Sequence, residues 1–220
     1  MIPLGHDFDG ETVLVFGGGA VGARKARRFA REARVVVVSP TFADADFGAS
    51  EFVRAAPTPA DVPTWLDAAV PALVVAATDD TDLNAAIESA TTERGVLVNR
   101  ADRSGGRDRG SVVVPATVED GPVTVAVTTS GTSPAVSRHL HRESASVVDG
   151  AGVVATVVGE LRDELKGRDV DPERRRAAIR AVAESEAVWA VARDRGTETA
   201  VRDAADRVLT EALGDAGADD

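Results

Sequence analysis

The chain has 220 residues, of which 25 are Lys or Arg and 36 are Asp or Glu, giving a formal net charge of −11. This acidity argues against a general binder of nucleic acids or anionic membranes, because such partners select an excess of basic residues. Cysteine is absent, which excludes disulfide scaffolds and Cys-ligated metals. The longest apolar stretch, residues 68–77, is too short for a membrane span, so we expect a cytoplasmic protein.

Short apolar segments alternate with helical patterns over the first half of the chain. Strands are predicted at residues 12–16, 34–38, around Phe52, 72–77 and 96–99, with helices at residues 20–32 and 80–93. Strands that are apolar at every position and separated by helices are typical of a parallel sheet covered on both faces. The pattern predicts an α/β fold with a Rossmann-type, doubly wound sheet.

The second half differs in composition. Residues 102–110 are rich in Gly and charge, as in a loop. Two further strands are predicted at residues 111–115 and 123–129, separated by a turn. The polar segment "SGTSP" at residues 130–134 is typical of a helix cap. The helices predicted after it are residues 135–147, 153–166, 172–193 and 198–213.

The first strand is followed by "GGGAVG", in which Gly17, Gly19 and Gly22 form a G-x-G-x-x-G pattern. In such a turn the first glycine permits the sharp bend, the second lets the backbone approach a pyrophosphate, and the third lets the helix pack on the sheet. The alternative is a glycine-rich turn without a ligand. Because the motif lies between a strand and a helix, we interpret it as a nucleotide-binding loop.

The ends of the second and fourth strands carry further candidate cofactor ligands. Ser39, Pro40 and Thr41 stand where an NAD site usually has an acid, and no Arg follows at once. These residues leave NAD and NADP open. Thr78 and Asp79 could contact the ribose or the nicotinamide, or the segment could simply cap the next helix.

The fifth strand is followed by "NRAD", from Asn99 to Asp102. A carboxylate at this edge is well placed to exchange protons beside a bound nicotinamide. Basic residues nearby in sequence could create a local positive electrostatic field that attracts a carboxylate-rich substrate. The alternative is that they only belong to a solvated loop and a solvated helix face. They are Arg100, Arg103, Arg107, Arg109, Arg138, His139, His141 and Arg142. His139 and His141 point to different helix faces at this spacing, so no metal site is predicted.

Several of these segments, in this order, resemble the precorrin-2 dehydrogenase family, which also forms the N-terminal module of siroheme synthase. They are "IPLGHDFDGETVLVFGGGAVGARKA", "AATDD", "VLVNRAD", "SVVVPATVEDGPVTVAVTTSGTSPAVSRHL" and, more loosely, "AVWAVARDRG". The glycine loop is generic, whereas "GTSP" before a basic helix is specific. The loop after Asp102 departs from the family, being longer and richer in Arg and Gly.

The resemblance implies NAD-dependent oxidation of precorrin-2, a tetrapyrrole, to sirohydrochlorin in siroheme biosynthesis, by a homodimer. The implied domains are a Rossmann domain (1–110), a dimerisation segment (111–149) and a helical C-terminal domain (150–220). Asp102 takes the position of the family's essential aspartate, and Gly19 to Gly22, Pro40 and Thr41 take its cofactor contacts. Some family members are also sirohydrochlorin ferrochelatases, so chelation is a second candidate activity. An NAD-binding regulatory module without catalysis is the alternative.

The site residues predicted from all these arguments fall into three groups. Asp102 is the catalytic residue. The cofactor-binding residues are Gly17, Gly19, Ala20, Val21, Gly22, Ser39, Pro40, Thr41, Thr78, Asp79 and Asn99. The substrate-binding residues are Arg100, Ser130, Thr132, Ser133 and Arg138.

Overall fold

The structure, a computed structural model, describes residues 2–103, 110–168, 170–194 and 196–214. The chain divides into two compact units. The first comprises residues 1–114 with 130–132, and the second comprises residues 115–129 with 133–220. The sequence-based division into three domains remains a prediction.

The first unit is built on a parallel sheet. Over the described residues its strands are β1 (Thr12–Phe16), β2 (Arg34–Ser39), β3 (Glu51–Arg54), β4 (Leu73–Ala76) and β5 (Leu97–Arg100), in the order β3-β2-β1-β4-β5. Its helices are α1 (Ala20–Phe29), α2 (Val62–Ala69) and α3 (Thr81–Arg94). The parallel sheet with flanking helices confirms the predicted Rossmann-type α/β fold.

Alternate residues along the strands belong to two separate apolar clusters. Leu14 and Phe16 of β1 belong to a cluster that includes α2 and α3, whereas Val13 and Val15 belong to one that includes Ala23 and other residues of α1. Burial on both faces explains why β1 is apolar at each position from Val13 to Phe16. The parallel orientation of the strands places all their carboxyl ends at one edge of the sheet, where such folds bind ligands.

The connections around β3 were not foreseen. Residues 40–50, all of which the structure describes, join β2 to β3 without a helix. Phe42 and Phe47 of this loop pack with Phe52 of β3 at ring-centroid distances of 4.9–6.1 Å. After β3, a capping box between Thr58 and Asp61 starts a short 3₁₀ turn that leads into α2. Helix α2 was not predicted from the sequence, because this segment is rich in proline and proline suits only the first turn of a helix.

The strand predicted at residues 111–115 was wrong. Ser111 forms an isolated parallel bridge with Val98 of β5, and the chain enters its next strand only at Ala116. Val112 donates its N–H to the carbonyl of Val98 at 2.8 Å. Pro115 lacks an N–H, so a ladder could not run through it.

The second unit joins an antiparallel hairpin to a set of helices. Its elements over the described residues are β6 (Ala116–Asp120), β7 (Val123–Val127), α4 (Pro134–Val148), α5 (Ala151–Lys166), α6 (Pro172–Glu184), α7 (Glu186–Arg193) and α8 (Glu198–Gly214). Residues of α5, α6, α7 and α8 form its buried core. No single described helix is long and apolar enough to cross a membrane; α4 and α5 reach that composition only together, across a 48° bend.

The single helix predicted over residues 172–193 is interrupted at Ser185. This residue adopts an extended conformation and separates α6 from α7. The indole Nε1 of Trp189 donates to the carbonyl oxygen of Ala183 at 2.8 Å. That bond satisfies a carbonyl that the end of α6 leaves without a helical partner.

Candidate cofactor and active site

The glycine loop between β1 and α1 is tightly packed on its inner side. Gly17 adopts φ +120°, and a Cβ there would overlap the carbonyl oxygen of Ala77. A Cβ at Gly18 would overlap the carbonyl oxygen of Thr41, and one at Gly22 would overlap that of Gly17. Three glycines are therefore required by the protein's own packing, and Gly18 is one that the motif does not include.

Gly19 differs from these three glycines. A Cβ built on it meets no described atom within 4 Å, and its φ of −79° suits any residue. Gly19, Ala20 and Val21 are exposed at the N-terminus of α1. The first helical N–H groups lack intrahelical partners and attract anions together with the helix dipole. This outer side of the loop has the form expected of a pyrophosphate cradle.

Backbone hydrogen bonds bring the ends of the neighbouring strands together at this loop. Gly17 donates to the carbonyl of Val38 at 3.0 Å, and Ala77 donates to that of Phe16 at 2.9 Å. Ala101 donates to the carbonyl of Ala76 at 2.9 Å. The segments that begin at Gly17, Ser39, Thr78 and Asp102 therefore share one edge of the sheet.

The segment after β4 is organised by α3. Thr78 donates its hydroxyl to Asn84 Oδ1 at 2.8 Å, and Asn84 Nδ2 donates to the carbonyl of Thr78 at 2.9 Å. Asp80 accepts from the amides of Asp82 and Leu83, both at 2.9 Å, as the N-cap of α3. Asp79 is exposed between them. The helix-cap alternative is thus realised by Asp80, and Asp79 remains a predicted cofactor ligand.

Asn99 lies in β5 with only 5% of its surface exposed. Its Nδ2 donates to the carbonyl of Val112 at 2.8 Å, which orients the amide. Its Oδ1 is buried and has no hydrogen-bond partner among the residues described. Buried polar atoms are nearly always paired, so this acceptor calls for a polar group from a ligand or water.

Asp102 is held by a guanidinium. Arg100 donates from Nε to Asp102 Oδ1 at 2.8 Å and from Nη2 to Oδ2 at 2.6 Å. Arg100 Nη1 donates to Glu88 Oε2 of α3, also at 2.8 Å, and Arg103 reaches the same oxygen at 3.3 Å. The Arg100 side chain is 4% exposed and that of Asp102 is 24% exposed. Arg100 thus lies between two carboxylates, an arrangement suited to positioning Asp102, and its role as a substrate ligand stays a prediction.

This clamp sets the protonation state of the carboxylate. The hydrogen bonds from Arg100 hold the pKa of Asp102 below its ordinary value of 3.8, against the opposing effect of burial. The same hydrogen bonds raise the pKa of Arg100. At neutral pH Asp102 is therefore an anion whose remaining lone pairs can accept a hydrogen bond or a proton.

The remaining predicted substrate ligands are divided between the units. Ser130 and Thr132 are exposed in the first unit, and Ser130 adopts a positive φ of 54°. Ser133 caps α4 in the second unit, accepting the N–H of Val136 at 3.3 Å, and Arg138 is exposed on the same helix. Arg107 and Arg109 of the basic field lie outside the described residues.

Sequence reasoning missed the inner residues that support this site. Asn84, Glu88 and Thr91 are buried on α3 at i, i+4 and i+7, so they form one stripe of a helix otherwise buried through apolar residues. Polar residues at helical spacing beside Leu83 and Ile87 were the available signal. Among the described residues, no three side chains of His, Asp or Glu are grouped as metal ligands.

The site combines a parallel sheet, a glycine loop at the start of α1, and an anionic carboxylate at the edge of the sheet where such folds bind ligands. This combination defines a dinucleotide-binding oxidoreductase. Comparison with known proteins supports this class. Residues 4–116 match an NAD(P)-binding protein family. The chain is 32% identical over 197 residues to the precorrin-2 dehydrogenase of Methanosarcina barkeri, covering 86% of this chain and 85% of that protein.

Two further similarities extend the comparison. Siroheme synthase 2 of Aeromonas hydrophila is 34% identical over 171 residues, which cover 75% of this chain and 34% of that longer protein. The solved structure of SirC, a precorrin-2 dehydrogenase, matches with a TM-score of 0.69 and 20% identity, covering 94% of this chain and 98% of that one. This structural match supports the fold. The chain belongs to the precorrin-2 dehydrogenase family of NAD-dependent oxidoreductases, which confirms the resemblance noted in the sequence.

Proposed function

We propose that this chain oxidises precorrin-2 to sirohydrochlorin with NAD. The observation that carries the proposal is the ionised Asp102 at the same sheet edge as the open face of Gly19. Oxidation of the reduced tetrapyrrole removes one hydride and one proton in each turnover. When bound, NAD supplies the hydride acceptor. An anionic carboxylate at the same edge supplies a group that can receive the proton.

The residues present fit a dinucleotide. The outer face of Gly19, Ala20 and Val21 offers amide groups and space for a pyrophosphate. The buried Oδ1 of Asn99, which has no partner among the described residues, offers an acceptor suited to the carboxamide N–H of a nicotinamide. We assign Asp79 and Thr41, exposed at this edge, to the ribose hydroxyls.

Asp102 acts as the proton acceptor in this proposal, and Arg100 acts as its positioning residue. The bidentate contact fixes both oxygens of the carboxylate, and Glu88 fixes the guanidinium from behind. Since hydrogen bonding lowers the pKa of Asp102, the carboxylate accepts a proton only transiently and returns it readily to solvent. The exposed Arg138 and Thr132 remain candidates to bind substrate carboxylates.

The test is anaerobic incubation of the purified chain with precorrin-2 and NAD, followed by NADH absorbance and by the spectrum of the tetrapyrrole product. Stoichiometric NADH and sirohydrochlorin are expected. NAD binding without turnover would favour the regulatory module instead. Ferrochelatase activity stays a prediction, to be tested by adding ferrous iron to the product under the same conditions.

We also propose that the chain functions as a homodimer through its second unit. Val136, Leu140 and Val147 are exposed on α4 at i, i+4 and i+11, so they form one apolar stripe. A stripe of this kind on a helix is typical of a protein contact. Light scattering should report a dimer for the wild type and a monomer for Leu140→Glu. A wild-type monomer with full turnover would contradict the proposal.

A further inference from the structure

The carboxyl end of β2 is where an NAD-specific Rossmann site usually carries an acid for the ribose hydroxyls. In this chain the position is Ser39, and residues 39–43 include no carboxylate. The hydroxyl groups of Ser39 and Thr41 can donate hydrogen bonds to an anion as well as to a diol. The position at the end of β2 itself therefore lacks the carboxylate that would repel a ribose 2′-phosphate, and the first carboxylate after it along the loop is Asp44.

A basic residue lies beside this position on the adjacent strand. The parallel register of β2 and β3 sets Ser39 opposite Arg54. Arg54 Nη1 donates to the carbonyl oxygen of Pro40 at 2.9 Å, and its guanidinium carbon lies 5.5 Å from the ring centroid of Phe42. These two contacts hold the guanidinium at the loop that follows β2.

Within the described part of the chain, no carboxylate neutralises the charge of Arg54. Throughout the described ranges no carboxylate lies within ion-pair distance of Arg54, whereas Arg34 at the opposite end of β2 pairs with Glu51 at 2.8 Å. A shallow, open depression of about 410 Å³ lies beside Arg54, Phe42 and Phe52. With Nη1 engaged by Pro40, Nε and Nη2 remain to form the two-pronged contact that guanidinium makes with phosphate.

This loop also contacts the pyrophosphate cradle. Ala43 donates its N–H to the carbonyl of Gly18 at 2.8 Å, and a Cβ at Gly18 would lie 2.8 Å from Ser39 Oγ. The loop after β2 and the glycine loop are therefore packed together within one unit. A dinucleotide whose pyrophosphate lies on Gly19 would carry its adenosine ribose toward this loop, as in other Rossmann folds.

We propose that Ser39, Thr41 and Arg54 form a subsite for a ribose 2′-phosphate, so that this chain accepts NADP as well as NAD. The inference rests on the proposed function only in taking this edge of the sheet as the dinucleotide site. The cation of this subsite comes from β3, the strand next to β2, and not from the residues that follow β2.

The test compares two probes that differ only in the 2′-phosphate, 2′,5′-ADP and 5′-ADP, by titration calorimetry, with NADP and NAD measured alongside. In the wild type, 2′,5′-ADP is expected to bind at least about tenfold more tightly, the worth of one charge-assisted contact. Arg54→Gln should remove most of that preference, and Arg54→Glu should reverse it. Equal affinities in the wild type, or a preference that survives Arg54→Gln, would overturn the subsite.

Arg34→Gln is the matched control. It removes the same charge from the same pair of strands at their opposite end, where Arg34 is more than half exposed. The preference for 2′,5′-ADP should persist in this variant, and its loss there would show that only overall charge matters, which would also overturn the subsite. Failure of the wild type to bind either probe would instead contradict the dinucleotide site on which the proposed function depends.

Discussion

At the scale of single residues, the glycine loop separates the needs of the fold from those of the ligand. Gly19→Val should weaken NAD binding by at least about tenfold, because its side chain would fill the space left for a pyrophosphate. The melting temperature should stay close to that of the wild type, since no described atom opposes a Cβ at this position. Calorimetric titration and thermal melting measure the two effects.

Gly18→Ala is the contrasting variant. Its methyl group would overlap the carbonyl oxygen of Thr41, and overpacking of this kind costs about 1–3 kcal/mol of unfolding free energy. An equal loss of stability in both variants would mean that Gly19 is also a packing glycine, and it would weaken the assignment of the cradle.

The two carboxylates that contact Arg100, those of Asp102 and Glu88, allow an effect on catalysis to be separated from an effect on stability in the same way. Asp102→Asn should lower precorrin-2 turnover by ~10²–10⁴-fold, the usual cost of removing a general base. Glu88→Gln makes the same chemical change on the same guanidinium. Both variants should lose about 1–3 kcal/mol of stability, since each weakens a hydrogen bond to a buried charge. Glu88→Gln should nevertheless keep turnover within about tenfold of the wild type. Equal losses of turnover in the two variants would mean that Asp102 only pairs with Arg100 and does not act as the proton acceptor.

The clamp also predicts a pH dependence of stability. The pKa of Asp102 is lowered by Arg100, so its contribution is fully present above its ordinary value of 3.8 and is lost as the pH falls through the lower folded value. The difference in unfolding free energy between wild type and Asp102→Asn should therefore be constant from pH 7 to about pH 5 and shrink below pH 3.8. Denaturant melts across this range measure it. A difference that already disappears near pH 5 would contradict the clamp.

At the scale of elements, the neighbouring acidic residues at the start of α3 are expected to have different roles. Asp80→Ala should cost about 0.5–2 kcal/mol, because it removes the acceptor for two amides at the N-terminus of the helix. Asp79→Ala should leave stability within about 0.5 kcal/mol of the wild type, as expected for an exposed residue, while weakening NAD binding. Denaturant melts and calorimetry distinguish the two. A stable Asp79→Ala with unchanged NAD affinity would remove Asp79 from the cofactor site.

The predicted elements succeeded or failed for local reasons. Residues 12–16 were predicted with the bounds that β1 has, because residues 13–16 are all apolar and Gly17 ends the run. Residues 111–115 look equally apolar, yet the chain there adds only a bridge beside β5. The sequence around Ser185 contains no Gly or Pro that would break a helix. The break between α6 and α7 is accompanied by the hydrogen bond from Trp189 to the carbonyl oxygen of Ala183. Local patterns identify apolar segments, whereas their pairing depends on partners distant in sequence.

At the scale of the whole molecule, the net charge of −11 predicts a strong response to salt. Self-repulsion destabilises the folded chain in dilute buffer, and screening relieves it. The melting temperature should rise by at least about 5 °C between 0.1 and 2 M KCl, equivalent to one or two kcal/mol for a chain of this size. Thermal melts across a salt series test this. A flat series would attribute the acidity to composition alone.

The sequence by itself determined the Rossmann-type sheet, the glycine loop and the position of Asp102, because these depend on residues adjacent in the chain. Only the tertiary structure decided what surrounds them. It placed Arg100 between Glu88 and Asp102, and it set Arg54 beside Ser39. The physical reason is that strand pairing and helix packing bring together side chains whose separation along the chain carries no local signal, and their charges take effect only at contact distance.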